Sequence, residues 1–345
     1  MNEETICILG GYGDVGLRVA RLLHARSDAR ILLAGRDGTK AARVARTIGE
    51  RCEGMALDVK ATEAATRLKG MTLCVSLTEA TPPGLAAALV AEGTGFIDSS
   101  ASPDYVTALR SAIEAVASPQ ASAILEAGLA PGLTNVMAAG LCRDHPETAR
   151  IDVLIEMGMG VHHGFAATEW TLQSLGRTYP VKVDAKLQHI RTGALRRTFE
   201  TDTGTVSAIG FAFCDQQGIA RDNALDSART YLAVDPGWMT RVLGWLSRPA
   251  LASIIQHHAA TLARSILRMP TMGGTGTHLV VEAYDVQGNL LGRKSLTGGP
   301  QADLTAEVLA TAALGLIEAT EDRIPGLLRL TDMPSVQEIL IQQAG

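Results

Sequence analysis

Short apolar runs alternate with segments of helical periodicity over the first third of the chain. The runs are continuously apolar, as in strands that are buried on both faces. The predicted strands cover residues 6–9, 30–34, 54–57, 71–77, 95–97 and 122–125. The predicted helices begin near Val15 and cover residues 39–50, 83–92 and 103–117. This alternation predicts βαβ units with right-handed crossovers, and therefore a doubly wound parallel sheet.

The pattern changes in the second part of the chain, where period-two alternation becomes common. Residues 277–286 and 290–296 alternate on either side of Gly288-Asn289, which predicts a β-hairpin. Further strands are predicted at residues 150–156, 179–191 and 196–201, and helices at residues 166–175, 239–268 (broken at Pro249), 303–319 (with Asp303 as N-cap) and 336–343. These elements predict an α+β domain with a mainly antiparallel sheet.

Composition limits the classes of protein that need to be considered. The 345 residues, 46 % of them hydrophobic, suffice for two domains. The formal charge is −5 and the basic residues are scattered, so we expect no nucleic-acid partner. The five cysteines match no zinc spacing and indicate reduced thiols in the cytoplasm. No signal peptide is evident, and no apolar window reaches the ~20 residues of a membrane span. We expect a cytoplasmic protein without a metal or a membrane segment.

A glycine-rich loop follows the first predicted strand and precedes the first predicted helix. Gly11, Gly13 and Gly16 form the pattern G-x-G-x-x-G. The first glycine permits a tight turn, the second lets a pyrophosphate approach the backbone, and the third lets the helix pack closely. The helix N-terminus would then offer N–H groups to the phosphates. The loop, including Tyr12, Asp14 and Val15, is therefore predicted to bind a dinucleotide in a Rossmann domain.

The end of the second predicted strand favours NADP over NAD. Enzymes that use NAD place an Asp or Glu here, which accepts a hydrogen bond from the ribose 2′-hydroxyl. This chain has Gly35, Arg36 and Asp37 instead. A guanidinium binds a 2′-phosphate through paired, charge-assisted hydrogen bonds. Asp37 has two interpretations, as an N-cap of the next helix or as a ligand of a ribose hydroxyl.

Two further strand ends are predicted to contact the cofactor. Asp58 and Val59 follow the third strand, where a carboxylate can bind the adenine amino group. The alternative for Asp58 is a solvated strand end or a helix cap. Leu77 and Thr78 end the fourth strand, over the crevice expected at the topological switch point, and are predicted to lie near the nicotinamide.

Several stretches together resemble the saccharopine dehydrogenase / saccharopine reductase-like NAD(P)-binding superfamily. They are residues 10–16, 33–37, 57–59, 95–101 and 126–138. Residues 96–100 match the family's loop Tyr-Val-Asp-Thr-Ser. The family's pattern Gly-x-x-Pro-Gly-x-x-Asn is matched by Gly128, Pro131, Gly132 and Asn135, although Ala130 stands where many members have Asp.

The resemblance implies a split architecture and an activity. Residues 1–132 would form the Rossmann domain, residues 303–345 would return to it, and residues 133–302 would form an inserted substrate domain. The apolar helical stretch 239–268 could pack against a second subunit, which would make residues 133–302 the dimerisation domain of a homodimer as well, or it could belong to the core. The implied reaction is hydride transfer between NADP(H) and the C–N carbon of a carboxylated, amino-acid-like substrate. Ser99, Ser100 and Asn135 are the expected substrate contacts.

The catalytic and carboxylate-binding residues remain open at this point. His163 and Glu169 are the candidates for the proton donor or acceptor, because they lie near a glycine-rich stretch. His162-His163 could equally form a surface turn, and Glu169 could be solvated beside a core Trp170. A basic residue of the second domain should bind the substrate carboxylate, and the candidates are Arg177, Lys182, Lys186, Arg191, Arg196 and Arg197.

Two alternative functions are compatible with a Rossmann domain. An NADP-dependent carbonyl or enoyl reductase is one, but the short-chain type needs Tyr-x-x-x-Lys, and none of the five tyrosines has a lysine four residues on. The other is a protein that binds NADP as a sensor without turnover, since a fold alone does not establish catalysis.

Overall fold

The structure, a computed structural model, describes residues 4–202, 204–318 and 324–343. Its strands are β1 (Thr5–Leu9), β2 (Arg30–Gly35), β3 (Cys52–Ala56), β4 (Leu73–Ser76), β5 (Gly95–Asp98), β6 (Ser122–Ile124), β7 (Arg150–Gly158), β8 (Thr178–Val183), β9 (Lys186–Arg191), β10 (Arg196–Thr201), β11 (Gly204–Gly210), β12 (Ser227–Asp235), β13 (Thr277–Tyr284), β14 (Leu290–Gly298) and β15 (Gly326–Leu328).

The helices are α1 (Asp14–Arg26), α2 (Gly38–Arg46), α3 (Ala64–Leu68), α4 (Pro83–Ala91), α5 (Pro103–Glu114), α6 (Thr134–Asp144), α7 (Phe165–Ser174), α8 (Asp215–Asp222), α9 (Trp238–Leu246), α10 (Pro249–His257), α11 (Ala259–Ile266), α12 (Gln301–Glu318) and α13 (Pro334–Gln343). Within the described ranges, every helix is too short or too polar to cross a bilayer.

The described residues divide into two compact units. The first comprises the described residues within Met1–Gly132 and Ala302–Ile339, and the second comprises those within Leu133–Gln301 and after Ile339. Each unit has its own principal sheet, and the two sheets differ in strand direction.

The first unit contains a seven-stranded parallel sheet in the order β15-β6-β5-β4-β1-β2-β3. Strands β1, β2 and β4 are fully buried at their centres, which explains their continuously apolar sequences. The order β3-β2-β1-β4-β5-β6 is that of a doubly wound dinucleotide-binding sheet, so the predicted fold class is confirmed. The sequence pattern did not predict β15, a three-residue strand that pairs with β6.

The second unit contains a six-stranded mixed sheet in the order β10-β11-β12-β7-β13-β14, and a separate β8–β9 hairpin. Only the β7–β12 pair of the mixed sheet is parallel, which confirms the predicted mainly antiparallel character. The predictions missed β11, β12 and α8. Strand β12 was missed because polar residues interrupt its apolar pattern. These residues are nevertheless buried, since helix α8 supplies their hydrogen-bond partners; for example, the Thr230 hydroxyl donates to Asp215 Oδ1 at 2.7 Å.

Two predicted helix boundaries were wrong. Helix α12 begins at Gln301, so Asp303 lies in its first turn and is not the N-cap. The Asp303 carboxylate instead forms an ion pair with Arg18 of α1. The apolar stretch 239–268 breaks at Pro249 as predicted, and it breaks a second time at His258, which separates α10 from α11.

Candidate functional site

The glycine loop joins β1 to α1 through a tight turn. Gly10 has φ +85°, a conformation that favours glycine, and Gly13 N donates to Gly10 O at 2.9 Å. The N-cap of α1 is Gly13, whose backbone is extended. Because a glycine has no side chain to cap the helix, the first N–H groups of α1 are open to an anion.

The three motif glycines are sterically required in different degrees. A Cβ at Gly16 would lie 2.6 Å from Gly10 O and 2.7 Å from Gly11 Cα, and a Cβ at Gly11 would lie 2.9 Å from Ile8 O. These contacts involve backbone atoms, which cannot rotate away. A Cβ at Gly13 would meet only Gly10 O, at 3.1 Å. Gly11 and Gly16 therefore set the shape of the loop, and Gly13 keeps its outer surface free for a close backbone approach by phosphate, so the residues fit a dinucleotide.

Tyr12 covers the end of β2. A Cβ at Gly35 would collide with the Tyr12 ring, so this glycine is needed for close packing. The Tyr12 hydroxyl accepts a hydrogen bond from Asp37 N at 3.3 Å, and Lys40 Nζ lies 4.9 Å from the centre of the ring. Tyr12 thus links the glycine loop to the β2–α2 turn.

Asp37 caps α2 through its side chain. Asp37 Oδ1 accepts from Lys40 N at 2.9 Å, which is the first of the two interpretations that the sequence allowed. The neighbouring Arg36 side chain is exposed. Over the described ranges, Arg36 has no ion pair, so its guanidinium is available to an anion such as a 2′-phosphate.

Asp58 makes a comparable local contact after β3. Its Oδ1 atom accepts from Lys60 N at 3.0 Å, and the residue is exposed. Val59 packs, partly buried, against the first unit's hydrophobic core. Asp58 Oδ2 makes no hydrogen bond within the described part of the chain.

The end of β4 lies against the glycine loop. Leu77 N donates to Leu9 O at 3.0 Å, and a Cβ at Gly10 would lie 2.8 Å from Thr78 Cγ2. The Thr78 hydroxyl is buried and has no hydrogen-bond partner among the residues that the structure describes. A buried hydroxyl without a partner is costly, and a bound polar group beside the loop would satisfy it.

The carboxyl end of β5 holds a buried carboxyl that the sequence reading did not single out. Asp98 is fully buried, and its Oδ1 atom accepts from Ser100 N at 2.9 Å. Burial raises the pKa of Asp98 to about 7; the nearby Glu79 charge adds to this, and hydrogen bonds from Ser100 and Ser76 oppose it. The available signal was an aspartate that directly ends an apolar strand. Ser99, one of the predicted substrate contacts, donates through its N–H to Ser76 O at 3.2 Å.

The predicted proton donors lie in the second unit. His163 Nε2 lies 3.1 Å from Gly158 O, which orients the imidazole ring. Glu169 is half-buried on α7. Its neighbour Trp170 packs against Phe211 and Phe213, with ring centres 5.6 Å and 5.1 Å away, so the tryptophan belongs to an aromatic core. Asn135 is buried in the first turn of α6.

The six candidates for carboxylate binding differ in how far the protein already uses them. Arg197 forms ion pairs with Asp152 and, at 2.6 Å, with Glu282, two carboxylates that are 1 % and 2 % exposed. Arg191 Nη1 donates to Ser247 O at 2.5 Å. The remaining four have no ion pair within the described ranges, and they are Arg177, Lys182, Lys186 and Arg196.

A cavity of about 480 Å³ lies in the second unit, where the sequence reading predicted no site. It is lined by residues of β7, β11, β12, β13 and α9, and the four charged or titratable side chains in its wall are Glu156, Asp235, Arg241 and His278. Its volume is within the range of ~300–1,000 Å³ that is usual for small-molecule sites.

Comparison with solved structures finds proteins of similar fold. The S. cerevisiae saccharopine dehydrogenase (L-Glu forming), in its apo, histidine-tagged form, has a similar fold over 98 % of this chain and 96 % of its own, with a TM-score of 0.64 and 13 % identity. A meso-DAP dehydrogenase mutant from Clostridium tetani aligns over 99 % of both chains at 11 % identity, with a TM-score of 0.49.

In sequence, no curated protein matches the chain. A family of protein domains does match, and its description is "Saccharopine dehydrogenase NADP binding domain". The match confirms the superfamily that the glycine loop and the strand-end motifs predicted. The match covers residues 6–124, and over this stretch the chain is similar to that NADP-binding domain.

Proposed function

We propose that the protein is an NADP(H)-dependent oxidoreductase that transfers hydride to or from the C–N carbon of a carboxylated, amino-acid-like substrate. The observation that carries the proposal is the cofactor loop. Gly11 and Gly16 of this loop are sterically required, and the loop leads into an uncapped helix N-terminus. An exposed Arg36, which has no ion pair among the described residues, follows β2. The match of this domain to a family described as NADP-binding supports the choice of cofactor.

Different residues would contact different parts of the bound cofactor. The backbone of Gly11–Gly16, with Tyr12, Asp14 and Val15, would border the pyrophosphate, and Gly35, Arg36 and Asp37 would bind the adenosine ribose and its 2′-phosphate. Asp58 and Val59 would border the adenine. Leu77 and the unsatisfied Thr78 hydroxyl would lie near the nicotinamide. The bound cofactor would supply the hydride, and the protein would supply binding and orientation.

The substrate side of the proposal rests on polar side chains at the end of β5, in the first turn of α6 and in the second unit. Ser99, Ser100 and Asn135 would contact the substrate, one of the unpaired basic residues would bind its carboxylate, and His163 or Glu169 would exchange the proton. His163 supports this role because Gly158 O already orients its ring.

We also propose that the protein works as a cytoplasmic homodimer. Trp238, Val242 and Trp245 are 50 %, 42 % and 49 % exposed, and they share one face of α9. A large exposed apolar face of this kind is typical of an interface.

Turnover with isotopically labelled cofactor tests the proposed reaction. The protein is incubated with NADPH deuterated at the transferable position and with pairs of an amine and a 2-oxo acid, and the products are analysed by mass spectrometry. We expect NADPH oxidation only when both partners are present, with deuterium on the carbon that becomes bonded to nitrogen. A deuterated hydroxy acid formed without the amine would identify a carbonyl reductase. Tight NADPH binding with no oxidation under any pair would favour an NADP sensor.

A further inference from the structure

The stretch that contains α9, α10 and α11 differs in charge from the rest of the chain. Residues 236–281 contain no aspartate, glutamate or lysine, whereas the whole chain has 36 acidic residues among 345. The permanently charged residues of the stretch are all exposed arginines, and they are Arg241, Arg248, Arg264 and Arg268. All carboxylate side chains therefore lie elsewhere in the chain, and this stretch presents positive charge alone.

Helices α10 and α11 each turn one side toward the protein. Their buried residues are spaced three or four apart within each helix, and they are Ala252, Ile255, Ala259 and Ala263. Gln256 Nε2 donates to Leu175 O at 2.6 Å, which holds α10 against the end of α7. Because residues at this spacing share one side of a helix, the opposite side of both helices faces solvent.

The solvent-facing side carries a row of large apolar side chains. The turns stay hydrogen-bonded across the junction of α10 and α11, because Ile254 O accepts from His258 N at 3.2 Å and His258 O accepts from Leu262 N at 2.9 Å. Met269 lies seven residues after Leu262, on the same side. Ile254 is 62 % exposed and Met269 is 58 % exposed, and Leu262 is also exposed. An apolar row of this kind on consecutive turns indicates a surface that another apolar phase covers.

Basic side chains accompany the apolar row. Arg264 and Arg268 are four residues apart, so they lie on consecutive turns of the same side. The Arg264 guanidinium lies 5.4 Å from the centre of the exposed Phe165 ring of α7. Neither arginine has an ion pair with any residue that the structure describes. Glu169 is the one acidic residue of α7, α9, α10 and α11, and it is half-buried.

We propose that Ile254, Leu262, Met269, Arg264 and Arg268 form a surface, here called the α10–α11 surface, that binds peripherally to an anionic lipid bilayer. Amphipathic helices of this composition lie in the bilayer interface, where the apolar side chains enter the headgroup region and the arginines contact lipid phosphates. The attachment needs no spanning segment, in agreement with the length and polarity of the described helices.

A second copy of the chain fits the α10–α11 surface less well than a bilayer does. A twofold axis would place the same patch against itself, so arginines would face arginines without an acidic residue to pair with them. An anionic bilayer offers the opposite charge together with an apolar phase. The exposed residues of α9 that we assign to the homodimer are not part of the α10–α11 surface, and the inference does not depend on the proposed reaction.

Flotation of the full chain with lipid vesicles tests the assignment. One set of vesicles consists of phosphatidylcholine alone, and the other contains phosphatidylglycerol in addition. We expect the affinity for the anionic vesicles to be at least about tenfold higher, because each arginine near a negative surface contributes to binding. Raising the salt concentration should reduce this preference, since salt screens the attraction between the arginines and the lipid phosphates.

Variants distinguish the apolar contribution from the charged one. Ile254→Ser and Met269→Ser should each weaken binding to the anionic vesicles about tenfold, because each removes a side chain that enters the interface. Leu187→Ser is the matched control, since Leu187 of β9 is an exposed leucine outside this surface. Arg264→Gln should weaken binding to the anionic vesicles alone, and Arg143→Gln, which changes an exposed arginine of α6, should have no effect. Thermal unfolding checks that each variant is folded.

Several results would overturn the assignment. They are an absence of vesicle binding, equal affinity for the two kinds of vesicle, and effects of the control variants as large as those of the others. Light scattering shows whether Ile254→Ser changes the oligomeric state; a dissociated oligomer with unchanged vesicle binding would make the surface a contact between copies. Binding to soluble polyglutamate that is as tight as binding to vesicles, and insensitive to Ile254→Ser, would indicate an acidic protein partner instead.

Discussion

The candidate site at the parallel sheet and the cavity at the mixed sheet are formed by different kinds of chemical group. The site of the parallel sheet is made mainly of backbone, because glycines let β1, α1 and β4 approach one another and leave N–H groups open. The cavity of the mixed sheet is lined by charged side chains, including Glu156, Asp235 and His278, together with glycine and alanine. A backbone site depends on a local run of residues, whereas a side-chain site depends on the register between strands that are distant in sequence.

The arginines show the same contrast. Arg36 in the first unit is exposed and has no ion pair within the described ranges, so its charge is available to a ligand. Arg197 in the second unit is fully engaged by two buried carboxylates, and its guanidinium also lies 4.5 Å from the centre of the Phe199 ring. An arginine at a strand end is thus available to a ligand in the first unit, whereas an arginine within a strand is held by structural contacts in the second.

The largest expected effect comes from breaking the buried charge network. Arg197→Ala leaves Asp152 and Glu282 short of a partner, and we expect a loss of about 3 kcal/mol in the free energy of unfolding. The loss stays at the lower end of the range for buried pairs, because Arg150 still contacts Asp152 at 3.2 Å and Arg293 contacts Glu282 at 2.5 Å. Urea unfolding measures it.

The neighbouring arginine provides the control for that measurement. Arg196 is exposed and has no ion pair among the described residues, so Arg196→Ala should change the stability by less than about 0.5 kcal/mol. Equal losses for the two variants would show that the carboxylates of the network do not depend on Arg197.

The second effect distinguishes a required glycine from an incidental one. A Cβ at Gly16 would lie 2.6 Å from Gly10 O, so Gly16→Ala must displace the loop, and we expect NADPH binding to weaken about 100-fold through the loss of two phosphate contacts. Gly84→Ala is the control, because a Cβ there would meet no atom within 4 Å. Fluorescence titration with NADPH compares the two. Normal binding by Gly16→Ala would show that the loop does not hold the cofactor.

A third effect depends on pH. The pKa of Asp98 is about 7 in the folded protein and near its ordinary value of 3.8 when unfolded. A raised carboxyl pKa favours folding at low pH, and that stability is lost as the pH rises from about 4 to about 7. Asp98→Asn should therefore be as stable as the parent protein below pH ~4 and more stable above pH ~7. We expect a gain of about 2 kcal/mol in the free energy of unfolding, and the full difference between the two pKa values sets an upper limit of ~4 kcal/mol.

Thermal unfolding across this pH range gives the comparison for Asp98. Asn keeps an oxygen that can accept from Ser100 N, so the local turn is preserved. A stability difference that is independent of pH would mean that the Asp98 carboxyl does not titrate in this window.

Sequence reading recovered the parallel sheet because its information is local. Six continuous apolar runs identified six strands, and three glycines at fixed spacing identified the loop, since only glycine satisfies the distances at Gly11 and Gly16. The same reading missed β15, because three residues carry too little pattern and their partner β6 lies about 200 residues away in the sequence.

The mixed sheet was only partly predictable, for a physical reason. Thr230 is a buried polar residue of β12 whose hydrogen-bond partners Asp215 and Gln216 belong to α8. A polar residue in this strand therefore does not indicate a surface position, and the strand could not be recognised from its polar and apolar pattern. Likewise, Glu156, Asp235 and His278 meet only through the register of three strands. No spacing in the sequence brings these residues together, and the cavity could not be predicted.

We propose that this protein binds NADP(H) through its glycine loop and Arg36. The most direct test is a parallel fluorescence titration with NADPH and NADH of the parent protein, of Arg36→Ala, and of Arg46→Ala, whose exposed arginine lies at the end of α2. We expect the parent and Arg46→Ala to prefer NADPH, and Arg36→Ala to lose about tenfold or more in NADPH affinity with NADH unchanged. Equal affinities for both cofactors in all three proteins would contradict the 2′-phosphate contact, and the absence of binding would contradict the oxidoreductase itself.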